Sequence, residues 1–568
     1  MCYATGASFC MVEDPAVKTF FAQACPGFRL PSRKRIAGPL LDQVYLARKA
    51  AVIDSLKEQP YMALSTDGWS NTNNQSIINF MLASPDMKPV FWKSIATGEE
   101  EHSGVYIAGC INDVINEVEA AIGAPGTFCS VVTDNAKNML TAWTELKKTR
   151  PYIICTGCGA HSFNLVMKNV LKINRIAAVQ DDAKHVAKFI RVRHGLLDRF
   201  RTKQRGMTTT GEKQLALSVP IPTRWYTVEK CVRSVFRNQY TIRSMFDDST
   251  LLKRYNTKET RFKLERAQSI VADQNKWNEC KRVVDILSPI NESLALSEKD
   301  KTYISSIYSE FVKLKDLNVY HSPIADATAD DRIKYGEIQS EVLQLIEGRR
   351  NFLVTAPVRA AYLLDQTTDI SKFAAGTAQV KGDLDLAMSD IVTMAKAITK
   401  DPKILKKYEG EVEEWSRLRH YWQRTNTAPK HFPCSPSSYW MMHGNKRFPL
   451  LSGIAEKFFT IPSSSASSER SWSIHDFIHT KRRNRLHASR VEKLVFVYSN
   501  IVATTSEPVR DNVADDMYPD AHDGDLDTSD DEDDVNGVEA FDDDDDEVMD
   551  TAEDGPANEE MQEMADIV

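Results

Sequence analysis

A chain of 568 residues, 42% hydrophobic and 26% charged, is long enough for two to four domains and has the composition of an ordinary soluble globular protein. No apolar run approaches the roughly 18 residues of a membrane span, and the opening MCYATGASFCMVEDP lacks the basic-then-apolar order of a secretory signal, so a membrane partner is not expected. Ten cysteines without a repeating framework suit reduced thiols in an intracellular compartment.

The net charge of −8 hides a segregation. Residues 511–568 hold 26 Asp and Glu and no Lys or Arg, which leaves 71 basic and 53 acidic residues in the first 510, a net of +18. A basic body with an acidic tail is frequent in proteins that bind nucleic acid. A basic enzyme with a solubilising tail has the same profile, so charge alone leaves both open.

In chain order, residues 1–60 carry PSRKR and then a helix through LLDQVYLARKAAVIDSLKEQ. From 62 the pattern turns strand-like: MALSTD, QSIINFMLAS and KPVFWKSIATG are β-prone and divided by turn residues. Val105 to Ile122 fits an amphipathic helix with Ile107, Ile111, Val114, Ile115 and Val118 on one face. FCSVVTD follows as a buried strand, then a helix from Asn135 to Lys148, then PYIIC as a strand. Three strands, helix, strand, helix, strand is an α/β order, the order of an RNase H-like core. Residues 160–445 read as mostly helical, with Pro357 at a boundary or kink. Three helices are predicted near the end, around Leu450–Phe459, Ala466–Ile478 and Ala488–Tyr498. The tail from 506, with DTSDDEDD and FDDDDDE, has few apolar residues and strong self-repulsion, so disorder is expected there. Ser529 precedes three acidic residues, a setting suited to acid-directed phosphorylation.

An acidic residue at the end of a buried strand needs compensation, and a divalent cation can supply it. Asp67 ends MALSTD and Asp134 ends FCSVVTD. In RNase H strand order the two become neighbours at one sheet edge, where their repulsion would be relieved by Mg²⁺ or Mn²⁺. Glu469, in PSSSASSERSWS, is the third candidate, in the first turn of a helix capped by Ser464 or Ser465. On spacing alone, the aspartates also fit turn or cap roles, and Glu469 also fits a residue that merely favours the helix dipole.

Five segments then carry a family likeness. STDGWS (65–70), VVTDNAKNM (131–139), CGAHSFNLVMKNV (158–170), TRW (223–225) and SSASSERSWSIHDFIHTKRRNRLHASRVEKLVFVYSN (464–500) resemble transposases of the hAT superfamily in order and spacing. The likeness is greatest to plant-type members with a transposase-like domain before a C-terminal dimerisation region, and it covers roughly residues 8 to 501. It implies an α/β, RNase H-like catalytic core interrupted by a large all-α insertion. The implied layout is a helical or linker region at 1–60, the first part of the core at 61–157, the insertion at 158–445, core completion with the dimerisation region at 446–505, and the acidic tail at 506–568.

The resemblance puts the family's acidic triad on Asp67, Asp134 and Glu469, holding two Mg²⁺ or Mn²⁺ ions that activate water to nick double-stranded DNA and then align a 3′-hydroxyl for transesterification. The first cut would leave a hairpin on flanking DNA. Cys158 and His161 match the family's Cys-x-x-His element, with a role in local packing or in positioning DNA ends; structural zinc is not expected, because a fourth ligand at suitable spacing is not evident beside Cys155. Trp225, after Arg224, matches a tryptophan that stacks on an extruded base, and a buried core tryptophan is the other reading. Lys481, Arg482, Arg483 and Arg485 read as phosphate contacts or as a nuclear-import signal. A homodimer or larger homo-oligomer, no small-molecule substrate and a nuclear location are implied.

The sequence departs from the family at its start. No Cys-x-x-Cys followed by His-x3–5-His precedes residue 60, so the BED-type zinc finger that grips the element ends is expected to be missing, through a truncated gene model or loss of the reader. An active transposase and a domesticated, catalytically inactive DNA-binding and dimerising regulatory factor are therefore the two functional readings.

Overall fold

Among the described residues, β-branched and aromatic residues bounded by turn residues form five strands: β1 (Met62–Ser70), β2 (Ser76–Ala83), β3 (Val90–Ala96), β4 (Phe128–Thr133) and β5 (Ile154–Gly157). The computed structural model describes residues 2–70, 76–85, 87–98, 100, 102–207, 215–221, 226–258, 260–323, 328–377, 380–427, 434–480 and 486–504. The strands make one sheet in the order β3-β2-β1-β4-β5. β2 runs antiparallel to both its neighbours, and β1, β4 and β5 run parallel. Parallel neighbours need crossovers; Gly104–Ile122 and Lys137–Thr149 are the helices that lead into β4 and β5. The face read from the sequence, with Ile107, Ile111, Val114, Ile115 and Val118, is the buried face of the first of them.

Several boundaries differ from expectation: the last helix runs on past Tyr498 to Thr504, the helix expected from Asn135 starts at Lys137, and two strand ends are moved by pairing. β1 continues past Asp67 to Ser70, because its antiparallel pairing with β2 runs on to Ser70↔Ser76. β5 starts at Ile154, not at Pro151: β4 supplies partners only for 154–157, and Pro151 and Tyr152 form a turn.

The buried apolar side chains fall into two cores. One joins the sheet to the N-terminal elements and to the end of the chain, with Leu41, Val52, Leu64, Phe80, Phe91, Ile111, Val131, Val495 and Phe496 among its members. The other is built from the helices between residues 159 and 461, with Phe163, Ile190, Trp277, Phe311, Trp415, Trp440 and Phe458. β4 is the seam. Successive strand residues point to opposite faces, so Val131 enters the first core and Val132 the second. With both faces covered, every residue of β4 is buried, which is why FCSVVT reads as an unbroken buried run instead of an alternating one.

The last three helices divide between the cores. Pro449–Phe458 gives Leu451, Ile454, Ala455 and Phe458 to the helical core, whereas Ile478, at the end of Ala466–Ile478, and Val491, Leu494 and Val495 of Ala488–Thr504 return to the sheet core. Asn500 locks that return: its amide takes the N–H of Phe91 at 3.1 Å and donates to the Phe91 carbonyl at 2.7 Å. No helix among the described residues is long and apolar enough to cross a membrane.

Candidate functional site at the sheet edge

The parallel ladder between β1 and β4 ends with Ser65 opposite Val132. Two residues past that pair stand Asp67, still within β1, and Asp134, the first residue after β4. With a side-chain period of two, Asp67 occupies a position equivalent to the last pair, and Asp134 lies just beyond the end of the ladder. Asp67 still has a strand partner on its other side, Asn79 of β2.

Glu469 arrives from far along the chain. It sits in the first turn of Ala466–Ile478, a helix packed on β1 and β2. The Ser-rich turn before it is held by residues of the Cys-x-x-His segment. Gly159 N–H donates to the Ser463 carbonyl at 2.9 Å, and the Cys158 thiol accepts from Ser465 N–H at 3.3 Å and from His161 N–H at 3.3 Å. Gly159 is required by this contact, since a Cβ there would lie 2.8 Å from the Ser463 carbonyl oxygen. Cys158 is buried and His161 half-buried.

The carboxylates sense one another. Burial, then the charge of Glu469 and, more weakly, that of Asp134 push the Asp67 carboxyl up to about 7, against the opposing pull of N–H donors from Trp472 and Gly68. Glu469 also adds to the effect of burial in raising the Cys158 thiol to about 12. Asp67 and Asp134 are half-buried and Glu469 is exposed. Among the described residues no three His, Cys, Asp or Glu side chains are gathered closely enough to hold one ion as they stand. The donor set nevertheless suits a hard divalent cation in kind: all three groups offer carboxylate oxygens, and their mutual repulsion is what a cation would relieve.

Residues without a site role assigned from the sequence build the surroundings, Trp472 among them, which was expected only to face the core from the Glu469 helix and is buried. Asp67 Oδ2 accepts from Trp472 Nε1 at 3.0 Å and Oδ1 from Gly68 N–H at 3.0 Å. Trp472 stacks on Trp69, with ring centroids 5.2 Å apart and planes inclined by 18°. Beside Asp134, the Asn135 amide donates to Ser162 Oγ at 3.0 Å. Gly157 makes room for it, because a Cβ there would fall 1.8 Å from Asn135 Oδ1. One signal was available for Asn79: an amide inside the apolar run INFMLA has to find partners once buried. Arg224, Trp225, Lys481, Arg482, Arg483 and Arg485 lie outside the described residues, as do Ser529 and the acidic tail.

The arrangement defines a class first: a mixed α/β protein in which an acidic sheet edge is met by a helix from the far end of the chain. Residues 31–186 match a domain of unknown function, DUF659, and residues 417–501 match the hAT family C-terminal dimerisation region. These matches support a hAT-type transposase or a protein derived from one. The dimerisation region supports association between copies of the chain. No curated protein matches the sequence.

Proposed function

We propose that the protein is a hAT-type DNA transposase with an RNase H-like core, cutting and joining double-stranded DNA through Asp67, Asp134 and Glu469. The observation that carries this reading is the meeting of Asp67 and Asp134 at the end of one parallel ladder, with Glu469 close enough to raise the Asp67 carboxyl. The strand order β3-β2-β1-β4-β5 with only β2 reversed supports it, since this is the arrangement of RNase H-like sheets.

The three carboxylates would hold two Mg²⁺ or Mn²⁺ ions, which when bound supply Lewis acidity at phosphate oxygens and a water ionised near neutral pH. The protein's share is position and charge: Asp67 is fixed on β1, Asp134 directly follows β4, and Glu469 is carried by a helix seated on β1 and β2. No side chain becomes covalently attached to DNA in this scheme. DNA would be gripped by the basic body, net +18 over the first 510 residues, with Arg224, Trp225 and the 481–485 cluster as contacts and Cys158 and His161 setting the wall beside Glu469. Binding of this kind weakens steeply with salt. Acting on chromosomal DNA would require the protein to enter the nucleus.

A second reading, a transposase-derived protein that binds DNA and dimerises without cutting, is favoured by one observation: the three carboxylates are not gathered into a single shell. Nicking of supercoiled plasmid in Mn²⁺ separates the two. Cleavage by the wild type and none by Asp134→Asn supports the catalytic reading. Equal inactivity of both selects the non-catalytic one, and equal activity of both removes Asp134 from the site.

A further inference from the structure

Asn79 and Trp472 join the strand that carries Asp67 to the helix that carries Glu469. Asn79 is fully buried on β2, directly opposite Asp67. Its side-chain oxygen accepts the Asp67 N–H at 3.2 Å, and its amide nitrogen donates to the Ser468 carbonyl at 2.9 Å and to Ser471 Oγ. Because the Ser468 carbonyl can only accept, the amide can face one way. One side chain therefore touches the backbone of the residue beside Glu469 and the backbone of Asp67.

Trp472 makes a second link, one helical turn past Ser468. Its N–H occupies Asp67 Oδ2 while Gly68 N–H occupies Oδ1, so the carboxylate plane is fixed and its remaining lone pairs have set directions. The stack on Trp69 holds the indole in that pose, and His475, whose Nδ1 is 2.9 Å from the Ser471 carbonyl, backs the same rings.

We propose that Asn79 and Trp472 are positioning residues: together they clamp the Glu469 helix to the Asp67 strand and orient the Asp67 carboxylate for a divalent cation. This rests on the catalytic reading above. Partners that orient ligating carboxylates typically change metal affinity by about 10–100-fold when removed.

Mn²⁺ binding to the full chain, followed by the loss of the free-ion electron paramagnetic resonance signal, tests the clamp without any turnover. Trp472→Phe keeps a ring on Trp69 and deletes the N–H; it is expected to bind Mn²⁺ about 10–100-fold more weakly than wild type with an unchanged thermal midpoint. Asn79→Ala is expected to weaken binding by a similar factor and to speed amide exchange over 466–472. Asn79→Ala also costs stability, so Trp472→Phe is the deciding variant. Wild-type Mn²⁺ affinity in Trp472→Phe, with Asp67→Asn unable to bind, would overturn the clamp and leave the site standing. Equal binding by wild type and Asp67→Asn would overturn both.

Discussion

The two cores handle their polar groups in opposite ways. In the helical core, polar atoms are used to close packing: Trp415 and Trp440 donate their indole N–H groups to the carbonyls of Leu363 and Leu364, each at 2.9 Å, and buried Arg419 donates to the carbonyls of Asp365 and Thr368. Each group finds a partner of complementary character. At the edge of the sheet core, three acidic side chains lie near one another without forming a single ion-binding shell, and the Asp67 carboxyl is raised by burial and then by the charges of its neighbours. The first arrangement lowers the energy of the metal-free fold; the second raises it. Stability and proposed chemistry therefore reside in different halves of the molecule, and substitutions can separate them.

The largest effect is expected in the helical core. Trp415→Ala removes a fully buried ring and strands the Leu363 carbonyl, at a cost of about 3–5 kcal/mol. Thermal unfolding should show it, while the molecules that remain folded keep wild-type Mn²⁺ affinity. A parallel loss of Mn²⁺ affinity would mean that the two regions are not separable. The converse experiment is Glu469→Gln, which should lower plasmid nicking by roughly 10²–10³-fold with the unfolding midpoint unchanged; a large fall in the midpoint would give Glu469 a structural role instead.

Gly157→Ala should show a mixed phenotype at the seam. The added methyl meets Asn135 Oδ1, so a loss of about 1–3 kcal/mol is expected together with weaker Mn²⁺ binding through Asp134. Stability lost without any change in Mn²⁺ binding would disconnect Asn135 from the site.

The smallest effect has the most specific signature. A carboxyl raised from 3.8 to about 7 in the fold keeps its proton there over a range where the unfolded chain has released it. Metal-free stability from this group is therefore present at low pH and is lost as pH rises from about 4 through about 7. Asp67→Asn should flatten that slope and stabilise the metal-free protein at pH 8 by roughly 1 kcal/mol, and Mn²⁺ should stabilise the wild type but not the variant. An unchanged pH slope in the variant would show that Asp67 is not the strained group.

Much of the sheet was legible because its segments obey local rules: β-branched runs, a two-residue period and turn residues between them. The helix Ala466–Ile478 was readable to the residue from its Ser-rich start. What was not legible depends on distant pairing. The extension of β1 to Ser70 and the late start of β5 are set by the lengths of partner strands, about which their own residues carry little. For the candidate site, the two aspartates were read as charges closing apolar strands, which holds for Asp134 after β4 but not for Asp67, since β1 runs on to Ser70. The roles of Asn79, Trp472 and Gly157 were not, since each is defined by a contact with a residue that no sequence window contains together with it.

The Asn79–Ser468 hydrogen bond spans 389 residues of chain, which carries a consequence for biosynthesis. Strands β1 to β5 leave the ribosome first, yet the helix that completes their acidic edge follows only after roughly 20–80 s of translation at about 5–20 residues per second. During that interval the nascent sheet lacks Glu469 and the inner surface contributed by Ala488–Thr504. A polypeptide released early, by a stop codon or a broken message, would have an unfinished acidic edge. On the catalytic reading, the order of synthesis would withhold a finished acidic edge until nearly the whole body of the chain has been made.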